Sequence, residues 1–146
     1  MLQTGQPAPA FSLPDQDGTM HSLGQYLGQW VLVYFYPQDD TSGCTAEACG
    51  IRDNLPKFKE MSAVVLGISG DTVDSHKQFA QKYGLPFTLL ADPEKQVIEA
   101  YGAKSENGTA RRVSYLINPE GVIAKAYDNV IPEKHAEEVL EDLTSV

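Results

Sequence analysis

Apolar and polar positions along the chain alternate between short runs typical of strands and longer stretches with helical spacing. The run from Trp30 to Tyr36, WVLVYFY, is continuous and rich in β-branched and aromatic residues, a pattern typical of a strand covered on both faces. A second apolar run, AVVLGI, extends from Ala63 to Ile68. The segment between them has apolar residues on one helical face, although Pro56 should break or kink this helix. Strand, helix and strand in this order predict a βαβ unit.

The same alternation continues to the end of the chain. The segment TVDSHKQFAQKYG predicts a helix that ends at Gly84, and FTLLAD predicts the short strand after it. PEKQVIEAYG predicts another helix, and RVSYLI and VIAKAY predict two antiparallel strands joined by the turn sequence NPEG. Pro132 suits the first turn of a final segment that has one apolar face. This last segment is therefore predicted to be an amphipathic helix.

The order of these elements predicts an α/β fold with a mixed central sheet flanked by helices. Near the N-terminus, AFSLPDQDGTMHSL predicts a β-hairpin extension about a turn from Asp15 to Gly18. No repeat, low-complexity tract or linker divides the sequence. A chain of 146 residues, 42% of them apolar, has the usual size of one domain with a buried core. We therefore expect a single domain over residues 1–146.

The charge balance excludes two classes of partner. Twenty acidic and 11 basic side chains give a formal net charge of −9, which repels a phosphate backbone and an anionic membrane surface alike. We therefore expect no nucleic acid and no membrane as partner. The N-terminal residues lack a basic segment followed by a long apolar one, and no window approaches about 18 consecutive apolar residues. On this basis the sequence predicts a cytoplasmic protein.

Both cysteines lie in one stretch, FYPQDDTSGCTAEACG, directly behind the most apolar run. In a reducing compartment, such a close pair is more often catalytic, redox-sensing or metal-binding than structural. Cys44 is expected in the first turn of the helix that follows the central strand. Unpaired N–H groups and the positive end of the helix dipole favour an anion there. The sequence thus predicts that the Cys44 thiol is stabilised as its reactive thiolate.

Other candidate ligands in the sequence do not form a site. His21, His76 and His135 show no ligand spacing with one another or with the cysteines, so no metal is predicted. The chain also lacks G-x-G-x-x-G and P-loop patterns. No cofactor is therefore expected.

The segment from Pro37 to Cys44, PQDDTSGC, matches the motif P-x-x-x-T-x-x-C and resembles the peroxiredoxins. The following TAEAC, with Cys49 five positions after Cys44, is similar to the bacterioferritin-comigratory or peroxiredoxin Q group. The resemblance covers nearly the whole chain and includes GQPAPAFSLPDQDG, VLVYFYP, ISGDTVDSHKQFAQKYGLPFTLLAD and RRVSYLINPEG. It implies a thioredoxin-like fold and a peroxidase that reduces hydrogen peroxide and organic hydroperoxides. Thioredoxin or a similar dithiol reductant would recycle the protein, as a monomer or weak homodimer.

The resemblance also implies the two central residues of the reaction. Cys44 would be the nucleophile that attacks one peroxide oxygen, and the site must then stabilise negative charge on the departing oxygen. Arg112 is similar in position to the arginine that approaches the cysteine in this family, and its guanidinium stays charged at any working pH. Arg111 should point the other way, because side chains alternate along a strand, and is expected to be a solvated surface residue.

Three further residues are assigned supporting roles. The Thr41 hydroxyl can donate to the peroxide, and the same residue suits a helix N-cap. Pro37 ends the strand, and family likeness adds shielding of the sulfur from water. Glu47 either orients the arginine through a charge-assisted bond or is an ordinary acid near the start of a helix.

Cys49 is expected to resolve the oxidised form of Cys44. A sulfenic acid at Cys44 can condense with a nearby thiol to a disulfide, which protects the sulfur from irreversible over-oxidation. In an intact helix, however, Cα atoms five residues apart are separated by roughly 8 to 9 Å, whereas disulfides need about 4.4 to 6.8 Å. The helix must therefore open locally. Gly43 and Gly50 flank the pair and lower the cost of that opening.

Three functions from different classes remain open to the sequence. The first is the thiol peroxidase, and the second is a general thiol–disulfide oxidoreductase, although that chemistry usually uses C-x-x-C and the spacing here is C-x-x-x-x-C. The third is a non-enzymatic binding domain in which the cysteines form a structural bridge or are core thiols. Only the first predicts rapid thiol loss on mixing with peroxide in the absence of a disulfide substrate.

Overall fold

A computed structural model describes all 146 residues. The strands are β1 (Ser12–Pro14), β2 (Met20–Ser22), β3 (Trp30–Phe35), β4 (Ala63–Ser69), β5 (Thr88–Ala91), β6 (Ser114–Ile117) and β7 (Ile123–Tyr127). The helices are α1 (Ser42–Glu60), α2 (Val73–Tyr83), α3 (Gln96–Ala100) and α4 (His135–Thr144), with a single 3₁₀ turn at Leu23–Tyr26. None of the helices is both long enough and apolar enough to cross a membrane.

The main sheet has five strands in the order β5-β4-β3-β6-β7. β3, β4 and β5 run parallel, whereas β6 and β7 are antiparallel to their neighbours, so the sheet is mixed as predicted. β1 and β2 pair separately as the predicted N-terminal hairpin. The α/β fold class expected from the sequence is confirmed.

β3 lies at the centre of the sheet and is covered on both faces. Its side chains alternate between two apolar clusters, one on each side of the sheet. One cluster contains Leu32, Tyr34 and Tyr36 together with residues of α1, α2 and α4. The other contains Val31, Val33 and Phe35 together with residues of the hairpin and α3. Burial of each such side chain is worth about 1.5 to 3 kcal/mol, so the position of β3 is strongly determined.

Of the two expected effects of Pro56, a break or a kink, the break does not occur, because α1 continues past Pro56 to Glu60. A proline inside a helix removes one backbone hydrogen bond and crowds the carbonyl group four residues earlier. Leu55 and Phe58, on either side of the proline, are both buried against the sheet. Their packing holds the last turn in place despite that cost.

Two other predicted helices have different bounds. α4 begins at His135, and Pro132 lies in the preceding turn, in which the Lys134 amide donates to the Ile131 carbonyl at 3.0 Å. Pro132 is therefore not in the first turn of the helix. α3 has only five residues, because Lys95 before it and Gly102 after it adopt left-handed backbone conformations with φ of 62° and 66°.

Candidate active site

Cys44 is the third residue of α1 and lies just beyond the carboxyl end of β3, as predicted. Its side chain is 1% exposed and carries a free thiol. The first amides of a helix have no partner within it, so the sulfur lies near unpaired N–H groups and the positive end of the helix dipole. This environment stabilises a thiolate.

Arg112 reaches the thiol because of the sheet topology. β6 is antiparallel to β3, so the start of β6 lies beside the end of β3, with Ser114 opposite Tyr34. Nη2 of Arg112 donates to Cys44 Sγ at 3.4 Å, although the two residues are 68 positions apart. The strand itself begins at Ser114, so Arg112 lies in the loop before β6 and not at the predicted start of the strand.

Arg111 does not approach the thiol. Its exposed side chain donates from Nη2 to the carbonyl of Gly102 at 2.5 Å. The Val113 amide donates to the Arg111 carbonyl at 3.0 Å, and this tight turn directs the two arginine side chains apart. The expected divergence is present, but it comes from a turn and not from strand alternation.

Glu47 lies one helical turn after Cys44 and is buried, with a side chain 0% exposed. Nη1 of Arg112 donates to its Oε1 at 2.8 Å, whereas Oε2 has no hydrogen-bond partner in the protein. Burial raises the pKa of Glu47 to about 7, even though the charge of Arg112 and its hydrogen bond act to lower it. The guanidinium therefore bridges Cys44 and Glu47.

Gly43 leaves room for this bridge. A Cβ atom at position 43 would lie 2.9 Å from Nη2 of Arg112, so any side chain there would crowd the guanidinium. The sequence suggests only a flexible hinge at this glycine. The structure adds that its missing side chain allows Arg112 to approach the first turn of α1.

Thr41 and Pro37 both lie in the segment between β3 and α1. Thr41 occupies the N-cap position, but its hydroxyl makes no cap hydrogen bond and instead donates to the carbonyl of Gln38 at 3.2 Å. The predicted N-cap position is therefore confirmed, although the side chain makes no capping bond. Pro37 is partly buried two residues after the end of β3. Their roles towards a peroxide stay predictions.

Cys49 lies on the same uninterrupted helix as Cys44 and is partly exposed. Both residues are free thiols. The regular helix on which the spacing argument depends is thus present in α1. An intramolecular disulfide between positions five apart is incompatible with that helix, as their Cα separation indicates.

A buried polar network, which the sequence did not indicate, fixes the segment before α1. Nε2 of His76 donates to the Leu90 carbonyl at 3.0 Å, and Nδ1 lies 2.7 Å from Oδ2 of Asp39. Both ring nitrogens of His76 therefore lie within hydrogen-bond distance of oxygen atoms of the protein. Tyr36 and Ser75 also donate to Asp39, at 2.6 and 2.8 Å. These bonds join the loop before α1 to α2 and β5.

Asp39, Asp71 and His76 form the one group of potential metal ligands, with ligand atoms within 4.8 Å of one another. A metal needs a free lone pair on the imidazole. Nε2 of His76 donates to the Leu90 carbonyl, Nδ1 lies 2.7 Å from Oδ2 of Asp39, and the Asp71 carboxylate accepts from the Asp39 amide at 2.9 Å. Hydrogen bonds within the protein account for these contacts, and the absence of a metal stays a prediction.

The sequence also did not predict that His135 lies close to the active site. It is buried, with Nε2 2.8 Å from Ser114 Oγ and Nδ1 3.0 Å from Glu138. Burial lowers the pKa of His135, and the nearby charge of Arg112 acts in the same direction. These contacts tie α4 to the start of β6. Helical spacing offered a signal, because His135 shares the apolar face of α4.

Comparisons with known proteins identify the relatives of this chain. The family model described as AhpC/TSA family matches residues 4–126. The chain is 47% identical over 148 aligned residues to the chloroplastic peroxiredoxin Q of Populus jackii, with 99% of this chain and 70% of that protein covered. It is 44% identical over 146 residues to the putative peroxiredoxin bcp of Coxiella burnetii, covering 95% of this chain and 97% of that protein.

Solved structures show the same similarity in three dimensions. The chain superposes on a mutant of PrxQ from Xylella fastidiosa with a TM-score of 0.95. The two are 32% identical, and the match covers 99% of this chain and 97% of the other. The thioredoxin-like fold expected from the sequence is confirmed by this likeness.

Proposed function

The chain belongs to the AhpC/TSA family and has the thiol-dependent peroxidase function of the peroxiredoxins within it, and from this premise we propose that Cys44 reduces the hydroperoxide. One observation carries the proposal: the buried Cys44 sulfur lies at a helix N-terminus with the Arg112 guanidinium 3.4 Å away. The helix dipole and the cation both stabilise the attacking thiolate. The same cation can stabilise negative charge on the departing oxygen.

The reaction oxidises the sulfur and reduces the peroxide. A sulfur lone pair of the Cys44 thiolate forms an S–O bond, the O–O bond breaks, and the departing oxygen leaves with the electron pair and takes up a proton. Because the Thr41 hydroxyl donates to Gln38, it would accept a hydrogen bond from the bound peroxide rather than donate one. Pro37, which has no N–H, would shield the sulfur from water.

Cys49 completes the cycle in this proposal. Its thiolate attacks the Cys44 sulfenic acid, which forms a disulfide and releases water. Hydroperoxides and a thioredoxin-type reductant are the partners that the family implies. We further propose that the physiological reductant is thioredoxin and that residues 1–146 form a single domain. We also propose that the protein is a monomer or weak homodimer and that it is cytoplasmic.

Peroxide alone should convert the reduced protein to its disulfide. After one equivalent of hydrogen peroxide, we expect the intact mass to fall by two hydrogens, with thiol loss complete on a stopped-flow timescale. A thiol–disulfide oxidoreductase would react rapidly only with a disulfide substrate, and a binding domain would react with neither. Unchanged mass and unchanged thiol content after mixing would contradict the proposed function.

Formation of this disulfide should unwind the first turns of α1. Positions 44 and 49 are about 140° apart around an intact helix, so the sulfurs cannot meet until the segment 43–50 opens. We expect faster hydrogen exchange in peptides from Thr41 to Asp53 of the oxidised protein, because opening is local. Peptides from Trp30 to Tyr36 serve as the internal control and should keep their protection. Equal protection in both states, with the disulfide confirmed by mass, would contradict the unwinding.

A further inference from the structure

Cys44 and Glu47 share one positive charge. Nη2 of Arg112 is 3.4 Å from Cys44 Sγ, and Nη1 is 2.8 Å from Glu47 Oε1. Both acids are 1% exposed, so water screens neither of them. One guanidinium can balance a thiolate or a carboxylate, and a second buried anion beside the first is strongly unfavourable. With one proton between them, the two acids carry a single negative charge, which the guanidinium can balance.

We propose that Glu47 holds this proton while Cys44 is a thiolate, and that it supplies the proton taken up by the departing oxygen. The inference rests on the proposed function of Cys44. In the balanced step, the Cys44 thiolate, protonated Glu47 and ROOH give the Cys44 sulfenic acid, the Glu47 carboxylate and ROH. The sulfur loses two electrons, the O–O bond takes them, and the proton moves from Glu47 to the alkoxide or hydroxide oxygen.

The net charge of the site is the same before and after this step. Arg112 first balances the thiolate and afterwards balances the Glu47 carboxylate, which it already contacts at 2.8 Å. Oxidation of the sulfur removes the competing anion, so it makes Glu47 a stronger acid at the moment when a proton is needed. In a buried site this constant net charge stabilises the transition state, because no uncompensated charge develops.

Glu47 is also the group whose acidity suits the task. Oε2 has no partner in the protein and is free to carry the proton, and burial raises the pKa to about 7. Tyr34 faces the same site from β3, but burial raises its pKa well above the ordinary value. His135, next to Arg112 on α4, has a pKa lowered by burial and is bonded to Ser114. Neither supplies a proton as readily near neutral pH.

A role in orienting Arg112 does not explain why position 47 holds an acid. The amide oxygen of a glutamine can accept the same bond from Nη1, with the same side-chain length. Glu47→Gln thus keeps the contact and removes the transferable proton, together with the ability of the residue to become an anion. Comparison of two oxidants with this variant then separates proton donation from positioning.

The test compares two oxidants that differ in their leaving groups. Hydrogen peroxide expels hydroxide, which needs a proton, whereas peroxyacetic acid expels acetate, which does not. In single-turnover stopped-flow experiments near neutral pH, we expect Glu47→Gln to slow oxidation of Cys44 by hydrogen peroxide about 100-fold, the lower end of the range for a general acid. Oxidation by peroxyacetic acid should slow less than about threefold, because no proton donor is required.

Equal slowing with the two oxidants, or no slowing with either, would overturn the role of Glu47. The conservative variant Glu47→Asp keeps a carboxylic acid at this position. The ratio of its rate constants for hydrogen peroxide and peroxyacetic acid should therefore be close to the wild-type ratio, even if both rate constants fall. Loss of that ratio in Glu47→Asp as well would also contradict the proposal. If the wild-type protein reacts with neither oxidant, the proposed peroxidase role of Cys44 is wrong. This result differs from failure of the Glu47 proposal, in which the wild-type protein still reacts.

Discussion

Cys44→Ser should abolish peroxide consumption. The hydroxyl of serine does not ionise near neutral pH and cannot form a stable bond to oxygen by this route, so neither the helix N-terminus nor Arg112 can activate it. The thiol of Cys49 remains in this variant, but it lies outside the contact with Arg112 and on another side of α1. We expect the rate in a peroxide-consumption assay with a dithiol reductant to fall to the background of free thiols.

The matched variant Cys49→Ser should fail at a later step. It keeps Cys44 and Arg112, so it should consume about one equivalent of peroxide and then accumulate sulfenic acid or mixed disulfides, which mass spectrometry distinguishes. The intramolecular disulfide should be absent. Full turnover by Cys44→Ser, or failure of Cys49→Ser to react even once, would reverse the assignment of the two cysteines.

Arg112→Met should slow the reaction with peroxide by about 100-fold or more, the loss seen when one donor to a developing oxyanion is removed. Methionine keeps much of the bulk and removes the charge that lies 3.4 Å from Cys44 Sγ. The variant loses stabilisation of both the thiolate and the departing oxygen. It also leaves the buried Glu47 carboxyl without its partner, which favours the protonated form.

Arg111→Met is the control for this prediction. Arg111 is adjacent in sequence and has the same charge, but its side chain is exposed and bonds to the Gly102 carbonyl. We expect its rate constant for peroxide to stay within about threefold of the wild type, as for most exposed sites. Stopped-flow fluorescence across a pH series measures both variants. Similar rate constants for Arg111→Met and Arg112→Met would mean that Arg112 does not activate the Cys44 thiol.

Local sequence patterns were enough to predict the main elements and the position of the nucleophile. A continuous apolar run such as WVLVYFY needs burial on both faces, and this requirement alone places β3 in the middle of a sheet. Cys44 directly follows that strand and begins a segment with helical spacing, so its place at a helix N-terminus follows from local pattern. Local pattern was less reliable at element ends, as the bounds of α3 and α4 and the persistence of α1 beyond Pro56 illustrate.

The distant groups that reach the thiol could not be predicted from local patterns, because they depend on how the whole chain packs. Arg112 is 68 positions from Cys44, and it arrives there because β6 pairs antiparallel with β3 in one particular register. A register is set by the summed packing of whole strands, which no short stretch of sequence encodes. The burial of Glu47 and the pairing of Asp39 with His76 depend on the same assembly, because a side chain becomes buried or paired only when remote elements pack around it.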